Sequence, residues 1–87
     1  MTTSELDGVL TLHFHEDGLS ITKAKLGKFI AGEILKMNMK NAKVAKQLEV
    51  TVNDIREMLL GHFDIYTLDE LINMIIRLGY NISIKVE

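Results

Sequence analysis

The spacing of apolar residues changes along the chain, and each change predicts an element. Val9 to His15 reads VLTLHFH, placing Leu10, Leu12 and Phe14 on one side of a period-two alternation and Thr11, His13 and His15 on the other, the pattern of a strand. Glu16 to Gly18 then turns the chain. From Thr22 to about Met37 the period lengthens to that of a helix, and Leu26, Phe29, Ile30, Ile34 and Met37 form an apolar stripe with lysines outside it. Asn38 tolerates left-handed backbone and is the expected stop.

The next stretch, Asn41 to Leu60, carries the most specific spacing. With Asn41 as position one, Val44, Leu48, Val50, Ile55 and Met58 fill the slots where the two helices of a helix-turn-helix bury side chains between them. Ala45 occupies the small slot where those helices cross, and a larger side chain there would tilt the second helix away from the orientation that fits a major groove. Helix two is expected at about Asn41–Gln47 and helix three at about Val52–Leu60. Glu49 stands at the turn position usually held by glycine, at a conformational cost of about 1 kcal/mol.

Gly61 ends helix three, and His62 to Tyr66 reads as a short loop. Thr67, Leu68, Asp69 and Glu70 then spell a capping box, with Tyr66 placed to pack on Leu71 as a hydrophobic staple. Helix four is expected to bury Leu68, Leu71, Ile72, Ile75 and Leu78 before Gly79 closes it. Tyr80 to Val86 alternates again, with Ile82, Ile84 and Val86 opposite Asn81, Ser83 and Lys85, and predicts a second strand. The two strands pair with each other, with a second copy of the chain, or both. Joining two subunits through them would build a four-stranded sheet and hold two reading helices at a fixed spacing, so a homodimer is the expectation. The competing expectation is a monomer whose strands cover the end of the bundle.

Composition narrows the function classes. Eighty-seven residues, 47% of them hydrophobic and 25% charged, make one small folded domain spanning residues 1–87, with a strand at 9–15, a helical bundle at 22–79 and a strand at 80–86. The absence of cysteine removes thiolate chemistry and suits a reducing cytoplasm, and the N-terminal residues carry neither a signal-peptide pattern nor a membrane span. Ser4, Ser20 and Ser83 lie in no nucleophile elbow and the glycines are scattered, so no enzyme and no cofactor is expected. His13 and His15 share one side of the strand, yet with His62 they make a weak metal set, and solvent-facing histidines are the plainer account. Met37, Met39, Met58 and Met74 sit at core-compatible spacings and read as gap fillers, with a partner-binding groove the sharper alternative.

Net charge is only −2, but residues 22–46 carry seven lysines against Glu33, whereas the flanking segments are acidic. This belt of Lys23, Lys25, Lys28, Lys36, Lys40, Lys43 and Lys46 suits phosphates or an acidic partner as well as it suits plain solvation. Helix three, by contrast, sets Asp54 and Glu57 against a single Arg56, and acid facing phosphate repels it.

With the tail TLDELINMIIRLGY at Thr67–Tyr80 and the following ISIKV, the chain from about Thr22 to Glu87 resembles the XRE-type helix-turn-helix proteins of the HigA-like antitoxin group. The resemblance implies a mainly α, lambda-repressor-like bundle of four helices with a C-terminal strand; with the strand at Val9–His15, which that group does not commonly have, the expected fold carries short N- and C-terminal strands. It further implies a dimeric, double-stranded-DNA-binding repressor of its own operon, many such proteins also neutralising a toxin encoded beside them. Carried over by position, Asn41 would contact phosphate, and Thr51, Val52, Asn53 and Arg56 would face base edges. Arg56 suits guanine and Asn53 adenine, while Lys40, Lys43 and Lys46 would anchor phosphates. The sequence departs from that group at Lys40, where a capping Thr or Ser is usual, at Glu49 and at Asp54. A protein-binding adaptor or antitoxin with little DNA affinity is the second expectation, motivated by Asp54 and Glu57.

Overall fold

The computed structural model describes the backbone of residues 5–6, 9–14 and 18–86 and the side chains of residues 18–83. In chain order the elements are β1 (Glu5–Leu6), β2 (Val9–Phe14), α1 (Leu19–Met37), α2 (Asn41–Leu48), α3 (Val52–Leu60), a 3-10 turn at Phe63–Ile65, α4 (Leu68–Arg77) and β3 (Asn81–Val86). The fold is mainly helical, a small helix-turn-helix bundle with short strands at its ends.

Helix ends fall where backbone chemistry allows them. Asn38, Glu49 and Gly61 all adopt left-handed conformations, with φ of 50°, 57° and 83°, and each closes the helix before it. α1 begins at Leu19 rather than at the expected Thr22, because its N-cap is Gly18, which has no side chain to signal a start. Thr22 is instead a buried residue of the first turn, its N–H donating to the Gly18 carbonyl at 2.8 Å. The capping box of α4 forms as expected: Thr67 Oγ1 accepts from the Glu70 N–H at 3.1 Å, and Glu70 Oε1 accepts from the Thr67 N–H at 2.8 Å.

The core runs through all four helices. Ile30 of α1, Val44 and Leu48 of α2, Ile55 and Met58 of α3 and Leu71 and Ile75 of α4 are almost wholly excluded from water, each contributing roughly 1.5–3 kcal/mol by burial. Ala45 is buried with them, as the small slot requires, while Val50 is only half-buried at the edge. On α4 the buried positions are Leu71, Met74 and Ile75; Leu68, Ile72 and Leu78 pack at the rim, and Met74 fills the place the expected stripe assigned to them.

The segment between α3 and α4 is more than a connector. Its 3-10 turn carries Phe63 back onto α1, where the ring lies over Gly27. A Cβ on Gly27 would stand 2.1 Å from Cδ1 of that ring, whereas a Cβ on Gly32 in the same helix would meet nothing within 4 Å.

At the other end of the bundle the terminal strands do pair with each other. β2 runs parallel to β3, from Val9 opposite Asn81 to Phe14 opposite Val86. β1, which the sequence pattern did not predict, pairs antiparallel with β2 and extends the sheet to three strands in the order β1-β2-β3. β3 is thereby an edge strand among the described residues. Tyr80 fastens the sheet to α1: its ring meets Phe29 edge-on at 5.2 Å and 74°, and its hydroxyl donates to the Glu33 carboxylate. The expected end of the first strand at His15 lies outside the described residues, as does the side chain of His13.

Candidate nucleic-acid interface

α2 and α3 differ at their starts, and the difference has a chemical meaning. The N-cap of α2 is Lys40, in extended backbone with no side chain capping the helix, and the first turn contains no acid. Lys40, Lys43 and Lys46 are exposed, and Asn41 is half-buried. An uncapped helix start with the positive end of its dipole and two lysines around it is a ready receptor for a phosphate oxygen. The absence of a capping Thr or Ser at position 40, which looks like a defect in the motif, leaves the first turn without a side-chain acceptor, while the Lys43 N–H donates to the Lys40 carbonyl at 2.9 Å.

α3 is capped from within. Thr51 Oγ1 accepts from the Asp54 N–H at 3.1 Å, and Asp54 Oδ2 accepts from the Thr51 N–H at 2.9 Å. Thr51, Asn53 and Arg56 are exposed along the first turns of the helix, while Val52 is half-buried and packs against the core. Among the residues expected to face bases, Asn53 and Arg56 therefore present full polar side chains outward. Val52 offers part of an apolar edge, suited to a thymine methyl, and the Thr51 hydroxyl already accepts the cap hydrogen bond.

The acids near this surface have partners that the sequence did not show. Asp54 does not project as a bare charge; its second oxygen, Oδ1, accepts from the Tyr66 hydroxyl at 2.9 Å. The backbone hydrogen bond from Thr51, helped by the Tyr66 hydroxyl, holds the Asp54 carboxyl below its ordinary value of 3.8 against the opposing effect of burial. The Tyr66 hydroxyl is pushed upward by burial and by the same carboxylate, and stays protonated as a donor. Glu57 turns to the loop, its Oε2 lying 2.5 Å from His62 Nδ1. Glu49, at the turn, lies 2.7 Å from Arg77 Nε of α4. Asp54, Glu57 and Glu49 thus each have a partner inside the domain. His62, the loop member of the weak metal set, is the partner of Glu57.

Sequence reasoning missed Tyr66, which it assigned only a staple role. Thr51 followed three residues later by Asp54 is the capping pattern with aspartate in place of glutamate, and that signal was legible. The tyrosine lies twelve residues further on, beyond any local pattern.

The lowered Asp54 pKa gives a signed prediction. A depressed carboxylate stabilises the fold above its unfolded pKa, and the contribution disappears as pH falls through the folded value. The stability difference between the parent and Asp54→Ala, measured by urea unfolding, is expected to be full at about pH 6 and to shrink steadily below about pH 4. A difference independent of pH would show that the carboxylate charge is not what Thr51 and Tyr66 hold.

An uncapped, lysine-flanked helix followed by a left-handed turn and an outward-facing polar helix defines a helix-turn-helix DNA-binding domain. Residues 15–87 match the helix-turn-helix domain family over most of the chain, and the protein belongs to that family, which is typically DNA-binding and non-enzymatic. Neither a curated protein nor a solved structure shows a significant match. Among the described residues no helix is long and apolar enough to cross a membrane.

Proposed function

We propose that the protein is a sequence-specific transcriptional regulator, a repressor in the manner of the HigA-like antitoxin group, that reads an operator through α3. The observation that carries this is the pairing of an exposed Asn53 and Arg56 on α3 with acids hydrogen-bonded to Thr51, Tyr66 and His62. Arg56 reads guanine and Asn53 adenine, with Thr51 and Val52 at the margin of the contact. Lys40, Asn41, Lys43 and Lys46 clamp the phosphates beside them.

A homodimer formed along β3 completes the proposal. Its edge consists of six residues without proline, and two such edges pair antiparallel about a two-fold axis, matching the symmetry of a palindromic site. The protein-binding alternative, including toxin neutralisation, drew its support from the acids of α3, and the partners found for Asp54 and Glu57 weaken that support.

The test is fluorescence anisotropy of a labelled duplex from the region upstream of the gene, titrated from low to physiological salt beside a scrambled duplex. Tighter binding to the upstream duplex, a steep salt dependence and two protomers per duplex are the expected result. Absence of binding at low salt would overturn the proposal and move the search to protein partners.

A further inference from the structure

We propose that Tyr66 is a positioning residue for the reading helix, acting through Asp54 to fix the angle at which α3 presents Asn53 and Arg56. The inference rests on the proposed role of α3 in reading DNA and deepens it, since Tyr66 itself touches no base.

The geometry is that of a directional restraint. Tyr66 is only 5% exposed, and its hydroxyl lies 2.9 Å from Asp54 Oδ1 and 3.3 Å from the Asp54 carbonyl oxygen. The other carboxylate oxygen takes the Thr51 N–H, so one side chain joins the N-cap of α3 to the residue that leads into α4. Beyond the Glu57–His62 contact, which ties the C-terminal half of α3 to the loop directly after it, the remaining attachments of α3 are largely apolar, through Ile55 and Met58. Apolar contacts resist separation but tolerate small rotations and slides, because they carry no preferred direction. A hydrogen bond does carry one. This one acts within the same helical turn as Asn53 and Arg56, where a misplacement of about 1 Å spoils a bidentate contact with a base. A second tie, Glu49 to Arg77, holds the turn before α3 to α4, but both partners are substantially exposed, so it contributes little rigidity.

Tyr66→Phe removes the hydroxyl and keeps the buried ring, and Asp54→Ala removes the acceptor. Each variant and the double variant are compared with the parent in two assays. One is anisotropy on the upstream and scrambled duplexes, well below the unfolding temperature; the other is backbone amide exchange of the free protein by NMR. Tyr66→Phe is expected to weaken the upstream complex about tenfold and the scrambled complex less than about twofold, because phosphate contacts tolerate a loosened helix and base contacts do not. Amide protection in the first turn of α3 falls while that of the Thr67–Glu70 cap is unchanged. The double variant is no worse than Asp54→Ala alone, since Tyr66 acts through that carboxylate.

Equal losses on both duplexes, unchanged amide exchange or additive losses in the double variant would each overturn the positioning role. A parent protein that binds neither duplex at low salt, with the exchange change still present, overturns the proposed function, and with it any role of Tyr66 in DNA reading. A parent that discriminates the duplexes beside a Tyr66→Phe protein that discriminates them equally well overturns the Tyr66 role alone.

Discussion

Gly27→Ala is expected to lower the stability of the domain by about 2 kcal/mol, which for a domain of this size lowers the melting temperature by roughly 8–16 °C. The new methyl group would stand 2.1–2.6 Å from three carbons of the Phe63 ring, far inside van der Waals contact. Phe63 is itself buried and held in a 3-10 turn between two helices, so the ring has little room to retreat. Overpacking of this kind costs up to about 3 kcal/mol, and the better helix propensity of alanine offsets at most about 1 kcal/mol of it. Gly32→Ala is the internal control, because its Cβ meets nothing within 4 Å. It stabilises by roughly 0.5–1 kcal/mol through propensity alone. The same substitution in the same helix thus changes sign over five positions. Thermal unfolding followed by circular dichroism measures both; a Gly27→Ala protein as stable as the parent would show that the Phe63 ring is free to move. Phe63→Leu in the Gly27→Ala background is expected to recover part of the loss, because a narrower side chain admits the methyl.

Arg56→Ala is expected to weaken binding to the upstream duplex about 10- to 100-fold, the value of a bidentate arginine–guanine contact, and to leave binding to a scrambled duplex nearly unchanged. Arg56 is exposed on the first turns of α3, where a side chain reaches base edges. Lys43→Ala gives the opposite signature. It weakens both duplexes alike and lowers the slope of log affinity against log salt by about one, as loss of a phosphate contact does. Titrations at several salt concentrations separate the two residues. Equal losses on both duplexes for Arg56→Ala would assign it to the phosphate backbone rather than to a base.

How far the chain could be read in advance depended on whether the deciding interaction was local. The ends of α3 fall on the expected Val52 and Leu60, because capping and glycine signals act within one turn. Ala45, Val44, Leu48, Ile55 and Met58 are buried as their spacing required. The start of α1 was not legible, since Gly18 caps without a side chain. β1 was not legible either: two residues are too few to show alternation, and the strand exists through its pairing with β2. The exposure of Asn53, Arg56 and the lysines of α2 was legible, whereas the partners of the nearby acids were not. Asp54 and Glu57 look like repulsive charges when judged by residue type, and only the packed loop supplies Tyr66 and His62 as their partners. Charge in a sequence is a property of the residue, whereas charge at an interface is a property of the residue and its neighbours.

The pairing of β2 with β3 also dictates an order of assembly during synthesis. The helices form through contacts between near neighbours along the chain, and local contacts are made early. The sheet must wait, because Val9 pairs with Asn81, which follows all four helices in the sequence. Until then β2 has only β1 to pair with. The chain thus completes its helix-turn-helix before it gains the strand edge on which two copies would meet in the proposed dimer.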